Sequence, residues 1–280
     1  MSLGSTRRGL AAAASLLPAT FFIRSARADT PNNTLDRVTT TKKLRINAVS
    51  ASPPYFVKDL STGTWGGAAV EMGKAIAQIW DAELVPVETT WGNSVLDLQS
   101  NKIDIAFALN PTPQRALAIS FTKPYIIAPF GCLAKQGFNP KTWDDLNKPD
   151  IRIGFDLGSL HETCARRFAP KAQLTGYKSI DECILALNGG RIDAEVIATT
   201  IGLSTVGKNP ALGPYHILGT PSVALPSCYG IQREPDTRFK EVVDAWIDFN
   251  RGIGTIREQM INGLSYAGVK PDQIPTDLSF

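Results

Sequence analysis

Leu44-Arg45-Ile46-Asn47-Ala48-Val49 alternates its side chains with a period of two and reads as a β-strand. From Ala69 onward, Met72, Ile76, Ile79 and Trp80 return every three to four residues, which predicts an amphipathic helix. Leu84 to Val87 is a second short strand. Pro86 places it near a sheet edge, because proline has no N–H to give a neighbour. A second helix is expected from about Asn93 to Ser100, and Ile103-Asp104-Ile105-Ala106-Phe107-Ala108 is a third strand. Strand, helix, strand, helix, strand implies a parallel sheet covered by helices, an α/β fold.

Upstream of this unit, Asp29 to Lys43 is polar, with Thr39-Thr40-Thr41, and is expected to be a loose lead-in. Downstream the pattern restarts. Ile151-Arg152-Ile153-Gly154-Phe155 reads as a strand, and Gly158-Ser159 opens a helix toward Phe168. Ser179-Ile180-Asp181-Glu182 has capping-box spacing, so a helix should run to Asn188 and stop at Gly189-Gly190. Ile192 to Ile197 is a further strand, and a helix from Asp236 carries Phe239, Val242, Val243, Trp246 and Ile247 inward. Two α/β units in succession imply two lobes, the second inserted into the first. The expected division is 1–28 as an export segment, 29–128 as the first part of lobe 1, 129–229 as lobe 2, and 230–280 as the return of lobe 1.

The 280 residues carry a formal charge of +3, too small a surplus to argue for nucleic acid, and no dense Lys/Arg stripe occurs. Only His161 and His216 are present, which argues against a histidine-rich metal site; no metal and no cofactor is expected. Arg7 and Arg8 precede an apolar run from Leu10 to Ile23, followed by Ser25-Ala26-Arg27-Ala28. A basic region, a short apolar region and a small-x-small site form the layout of an export signal cleaved near Ala28. The apolar run contains Pro18 and is shorter than the roughly 20 residues needed to span a bilayer. Thr6-Arg7-Arg8-Gly9-Leu10 partly matches a twin-arginine signal, and the Sec route stays open. Without residues 1–28, which hold four Arg and no acid, the formal charge falls from +3 to −1. The mature chain is therefore expected in the periplasm, near neutral. Cys132, Cys164, Cys183 and Cys228 are an even number for a compartment that permits disulfides; three pairings are open, and four buried thiols are the alternative.

Several segments, in order, resemble the family 3 extracellular solute-binding proteins, the polar amino-acid receptors of bacterial ABC importers. They are Leu44-Arg45-Ile46 with Pro53-Pro54-Tyr55-Phe56, and Trp91 with Leu98-Gln99-Ser100-Asn101-Lys102-Ile103-Asp104. Thr112-Pro113-Gln114-Arg115, Ser120-Phe121-Thr122-Lys123-Pro124-Tyr125, Asp144-Asp145-Leu146 and Gly190-Arg191-Ile192-Asp193-Ala194 continue the match. The resemblance implies the type II periplasmic-binding-protein fold: two α/β lobes joined by crossing hinge strands near Ala128–Gly131 and Cys228–Ile231. A small-molecule carboxylate or amino-acid ligand would close the cleft, and an ABC permease in the inner membrane would receive it from a monomeric receptor. Crossings there would bring Cys132 near Cys228, and Cys164 with Cys183 would form the other candidate pair.

By the same resemblance, Arg115 matches the arginine that grips the ligand carboxylate, and its guanidinium fork suits bidentate binding. Thr112 lies on the same turn. Gly158 and Ser159 open a helix whose free N–H groups favour an anion from the other lobe. Trp91 matches a side wall, and Ser52 and Val49 make another wall small and apolar. Ala198 stands where the family places an aspartate for the ligand ammonium. Either Asp156 takes over that role, with His161 nearby and Asn110 as a neutral acceptor, or the ligand lacks an α-amino group. Glu195, inside an apolar strand, needs a partner or a raised pKa.

No G-x-S-x-G, H-E-x-x-H or C-x-x-C occurs, so the expectation is a binding protein and not an enzyme. The alternatives are a periplasmic lyase of the same fold, like cyclohexadienyl dehydratase, with Asp156 and His161 as an acid–base pair, or a receptor serving a sensor or dehydrogenase.

Overall fold

The computed structural model describes residues 1–4, 33–274 and 278–279. Nearly all of the expected export segment, 1–28, lies outside the described residues. Among them, no helix is long and apolar enough to cross a membrane.

The first lobe begins with α1 (Thr34–Thr41), where a loose lead-in is expected from sequence. The correction has a physical cause. Asn33 caps the helix by accepting from the Asp36 N–H, and the ties that hold it come from far along the chain. The Thr34 N–H donates to Glu234 at 2.9 Å, Arg37 pairs with Asp104, and Val38 is fully buried. A threonine-rich run has poor intrinsic helicity, so these partners decide its state.

Then come β1 (Lys43–Val49), a small hairpin of β2 (Val57–Lys58) and β3 (Trp65–Gly66), α2 (Ala68–Gln78) and β4 (Glu83–Thr89). They are followed by α3 (Ser94–Gln99), β5 (Ile105–Leu109), α4 (Pro113–Ala118) and β6 (Ser120–Phe121). Strand β1 lies parallel between β4 and β5, with β4 at the sheet edge as Pro86 requires. Met72 and Ile76 of α2 pack with Leu44, Ile46 and Ala48 of β1 in one core.

Strand β7 (Ile126–Ala134) leaves this lobe, and the second is built from α5 (Trp143–Leu146), β8 (Arg152–Asp156), α6 (Leu160–Phe168) and β9 (Gln173–Tyr177). It continues through α7 (Ile180–Asn188), β10 (Ala194–Ala198), α8 (Thr199–Lys208) and β11 (Tyr215–Ile217). Strand β12 (Ala224–Ile231) returns the chain to the first lobe, where α9 (Arg238–Gly252) and α10 (Thr255–Tyr266) complete it. Strands β7 and β12 each belong to two sheets. Ile126–Pro129 pairs antiparallel with Ala224–Ser227, whereas Phe130–Ala134 pairs with β10 and Cys228–Ile231 with β5. These are the two crossing strands.

The same ionic clasp occurs once in each lobe. Asp104, just before β5, accepts from the Arg45 main-chain N–H at 2.7 Å and pairs with the Arg45 guanidinium at 2.6 Å. Asp193, just before β10, does the same with Arg152, at 2.9 and 2.8 Å. Each aspartate thus fixes the start of one strand against its neighbour.

All four cysteines are buried free thiols, which corrects the expected disulfides. The ribbon register sets Ser227 opposite Ile126, which leaves Cys132 far along β7 from the position beside Cys228. At about 3.3 Å per residue the two are roughly 23 Å apart, beyond the reach of a disulfide. Cys164 packs with Ala194 and Val196 on one face of β10. Cys183 lies against Glu195, which alternation puts on the opposite face, so the sheet separates that pair.

Candidate functional site

A cavity lies between the lobes where the carboxyl ends of β5, β8 and β10 converge. That is the position at which α/β sheets hold ligands. The crossing strands supply Ala128, Phe130 and Ser227. The first lobe contributes Tyr55, Trp91, Asn110 and Arg115, and the second contributes Ser159, Leu160 and His161 at the start of α6 and Ala198 and Ile201 around the start of α8.

Arg115 sits in the first turns of α4, whose N-cap is Thr112: the Thr112 hydroxyl accepts from the Arg115 N–H at 3.1 Å. Pro113 at the first helical position is preorganised for that turn. The guanidinium donates to the Asn110 carbonyl at 3.0 Å and, across the cleft, to the Gly158 carbonyl at 3.0 Å. Two of its five N–H groups are thus engaged, and the others remain for a ligand. Burial pushes the Arg115 pKa down to about 10, with the Asp156 charge opposing, so it stays cationic at neutral pH. Asn110 spends its amide N–H on the Pro226 carbonyl and Ser227 hydroxyl, at 2.8 and 3.3 Å. Trp91 is 5% exposed and packs on Phe56, and its buried indole N–H has no hydrogen-bond partner among the described residues.

On the facing wall, Ser159 caps α6 by accepting from the Glu162 N–H at 3.2 Å and donates to the Asp156 carbonyl at 2.7 Å. The Gly158 N–H is taken by Glu162 at 2.8 Å. The amides of Leu160 and His161 come next; first-turn amides have no carbonyl four residues back, so they and the helix dipole are available to an anion. Helix α8 begins at Thr199, and its N-cap Ala198 provides no side-chain cap. The Thr199 hydroxyl donates to the Pro129 carbonyl at 2.7 Å, anchoring this helix to the crossing strand.

Behind this wall is a buried polar cluster. His161 Nδ1 meets the Asp156 carboxylate at 2.5 Å, with both residues at most 5% exposed. Glu195 is 1% exposed, its oxygens reached by no N–H or hydroxyl donor among the described residues, with the Cys183 thiol beside it. Burial and the nearby Asp156 raise the Glu195 pKa well above the usual carboxylate range. The folded chain therefore keeps a proton that the unfolded chain releases above about pH 4.5. The resulting penalty is absent in acid and grows as pH rises through that value. Replacing the carboxyl should relieve it. Glu195→Met is expected to raise stability at pH 8 by about 1 kcal/mol or more. Its advantage should shrink below pH 4, as measured by urea unfolding at both pH values.

The cleft is shut. A Cβ on Gly158, whose φ is +74°, would lie 2.8 Å from the Gly92 Cα, so the lobes touch backbone to backbone. Tyr55 Oη meets Thr200 Oγ1 at 3.0 Å, and Ser50 donates to Asp181 at 3.0 Å. Burial pushes the Tyr55 hydroxyl up to about 12, so it remains neutral. Loss of this one cross-cleft bond in Tyr55→Phe should weaken ligand affinity about two- to tenfold, read by calorimetry, a neutral hydrogen bond contributing about 0.5–1.5 kcal/mol.

Residues 44–258 match the family model of bacterial extracellular solute-binding proteins, family 3. The chain belongs to that family. A probable histidine-binding protein of Campylobacter jejuni is 30% identical over 198 residues, 70% of this chain and 75% of the relative. The cyclohexadienyl dehydratase of Pseudomonas aeruginosa is 23% identical over 248 residues, 87% of this chain and 91% of the relative. The crystal structure of an ancestral amino acid-binding protein, described as a precursor of cyclohexadienyl dehydratase, superposes with a TM-score of 0.73 at 26% identity. It covers 85% of this chain and all of its own. The fold is that of the type II periplasmic binding proteins.

In this family 3 protein, Arg115, Asn110, Trp91, Ser159, His161 and Ala198 come together on the cavity wall. The other expected residues do not line it. Ser52 is fully buried in the turn after β1 and donates to the Ser50 carbonyl, so Tyr55 forms that part of the wall instead. Thr112 is spent as a helix cap, Gly158 reaches Arg115 through its carbonyl alone, and Asp156 is held behind His161. Phe130, Ser227, Leu160 and Ile201 were not anticipated. The alternation along the crossing strands could have indicated Phe130 and Ser227. Ile201 depends on α8, whose Thr-Thr-Ile-Gly start carries no helix signal.

Proposed function

We propose that this solute-binding protein captures an amino acid or related small carboxylate between its lobes and delivers it in the closed form to an ABC permease of the inner membrane. The lobes are 29–128 with 230–280, and 129–229, and the export signal is 1–28, removed near Ala28 in the periplasm. One observation carries the reading: Arg115, a mostly buried cation, stands in the interlobe cavity and reaches the opposite lobe at Gly158. Two of the relatives named above, the probable histidine-binding protein and the ancestral amino acid-binding protein, support the solute class. The test is a thermal-shift panel of amino acids, amines and carboxylates on refolded protein freed of bound solute. A ligand at about 1,000 Kd adds roughly 4 kcal/mol, a shift of several degrees. A panel in which amines alone stabilise the protein would refute the carboxylate grip.

A second reading is favoured by the His161–Asp156 pair at 2.5 Å, which could move a proton at the cavity wall in a lyase. Turnover of prephenate or arogenate by the purified protein, lost in His161→Gln, would establish it. The absence of turnover leaves the receptor reading.

A further inference from the structure

We propose that the solute gripped by Arg115 is a carboxylate that carries no ammonium group. The inference rests on the receptor reading above and narrows it. Among the described residues, no Asp or Glu lines the cavity, whereas Arg115 does, and so do the starting turns of α6 and α8. The nearest candidate counter-charge, Asp156, is off the wall and committed to His161 Nδ1 at 2.5 Å. Asn110, a neutral wall group, donates its amide N–H to the crossing strand and offers an ammonium only an uncharged oxygen. Trp91, also on the wall, has an indole N–H that is buried and unpartnered among the described residues, and it can donate to a carboxylate but not accept from an ammonium.

The physical consequence follows from desolvation. A carboxylate entering this closed cavity exchanges water for a guanidinium and free helix amides. An ammonium entering beside it would lose its water for neutral oxygens, with no formal negative charge on the wall. The amine-free acid avoids that cost. It keeps the whole of the Arg115 interaction.

The experiment is isothermal calorimetry of refolded protein with matched pairs. These are L-glutamate against glutarate and 2-oxoglutarate, L-phenylalanine against 3-phenylpropionate, and L-histidine against imidazolepropionate. In a pair that binds, the amine-free acid is expected to bind at least tenfold tighter. Ala198→Asp places a carboxylate on the wall at a helix N-cap, a position that accepts aspartate well. It should move the ratio at least tenfold toward the amino acid. Tighter binding of the amino acid than of its amine-free partner by the unaltered protein overturns the inference while leaving the receptor reading intact. Binding by no member overturns the receptor reading itself, whereas binding that is equally tight in Arg115→Ala means that the carboxylate is held elsewhere and overturns the inference. If Ala198→Asp does not fold, the ratios of the unaltered protein decide.

Discussion

Arg115→Ala is expected to lose ligand affinity by about two to three and a half powers of ten. Removing one partner of a buried, hydrogen-bonded charge pair costs about 3–5 kcal/mol, and each 1.4 kcal/mol is a factor of ten. The side chain has two duties here. It offers free N–H groups to the solute, and it joins Asn110 on one lobe to Gly158 on the other. Arg115→Lys keeps the charge but not the planar fork, so it should restore only part of the loss. Calorimetry reads the affinity, and circular dichroism of the ligand-free variant confirms that the fold survives. Affinity within threefold of the unaltered protein would mean that the carboxylate is held elsewhere.

The next largest effect belongs to a residue that touches no ligand. The Asp104 side chain has no solvent exposure and binds two arginines, Arg37 and Arg45, together with the Arg45 main-chain N–H. Asp104→Ala leaves both cations and an amide without their acceptor. The expected loss is about 3–5 kcal/mol, a fall in Tm of roughly 6–20 °C for a chain of this size. The second-lobe copy makes the pH dependence testable. Arg152 and Lys135 hold the Asp193 carboxyl well below the usual carboxylate range. Because its folded pKa lies below its unfolded value, the contribution is complete above about pH 4 and is lost as pH falls further. Asp193→Asn should therefore be less stable than the unaltered protein at pH 7 and nearly equal to it in strong acid. A constant difference across that range would show that the charge is not what matters.

The α/β layers were legible because the apolar periods of β1, α2 and β5 agree with the burial they meet in the fold. Pro86 even marked the sheet edge. Elements were missed where local preference and tertiary partners disagree. Helix α1 depends on Glu234 and Asp104, and α8 has hydroxyls, Ser204 and Thr205, that bond back to carbonyls four residues earlier. Within the site, the family resemblance pointed to Arg115, Trp91, Asn110, Ser159, His161 and Ala198. What remained hidden was each residue's other obligation. Thr112 and Asp156 have the right chemistry, but a helix cap and a histidine had already claimed them. The cysteines misled for a related reason. Burial pushes the Cys164 and Cys228 thiols up to about 12, so they behave as small apolar fillers rather than as reactive pairs.

The two strands that cross between lobes also imply an order of events when the chain folds. The sheet of the first lobe is closed on one side by Cys228–Ile231 pairing with Leu109–Ile105, residues separated by the whole second lobe. Such distant pairing is slow, because the chain between must be looped out before the contact can form. The inserted lobe, by contrast, can nucleate from contacts near in sequence, such as Arg152–Asp156 with Gln173–Tyr177. Its closure would bring the ends of β7 and β12 together and shorten the remaining search. The receptor would then acquire its cleft last, at the moment the discontinuous lobe is completed.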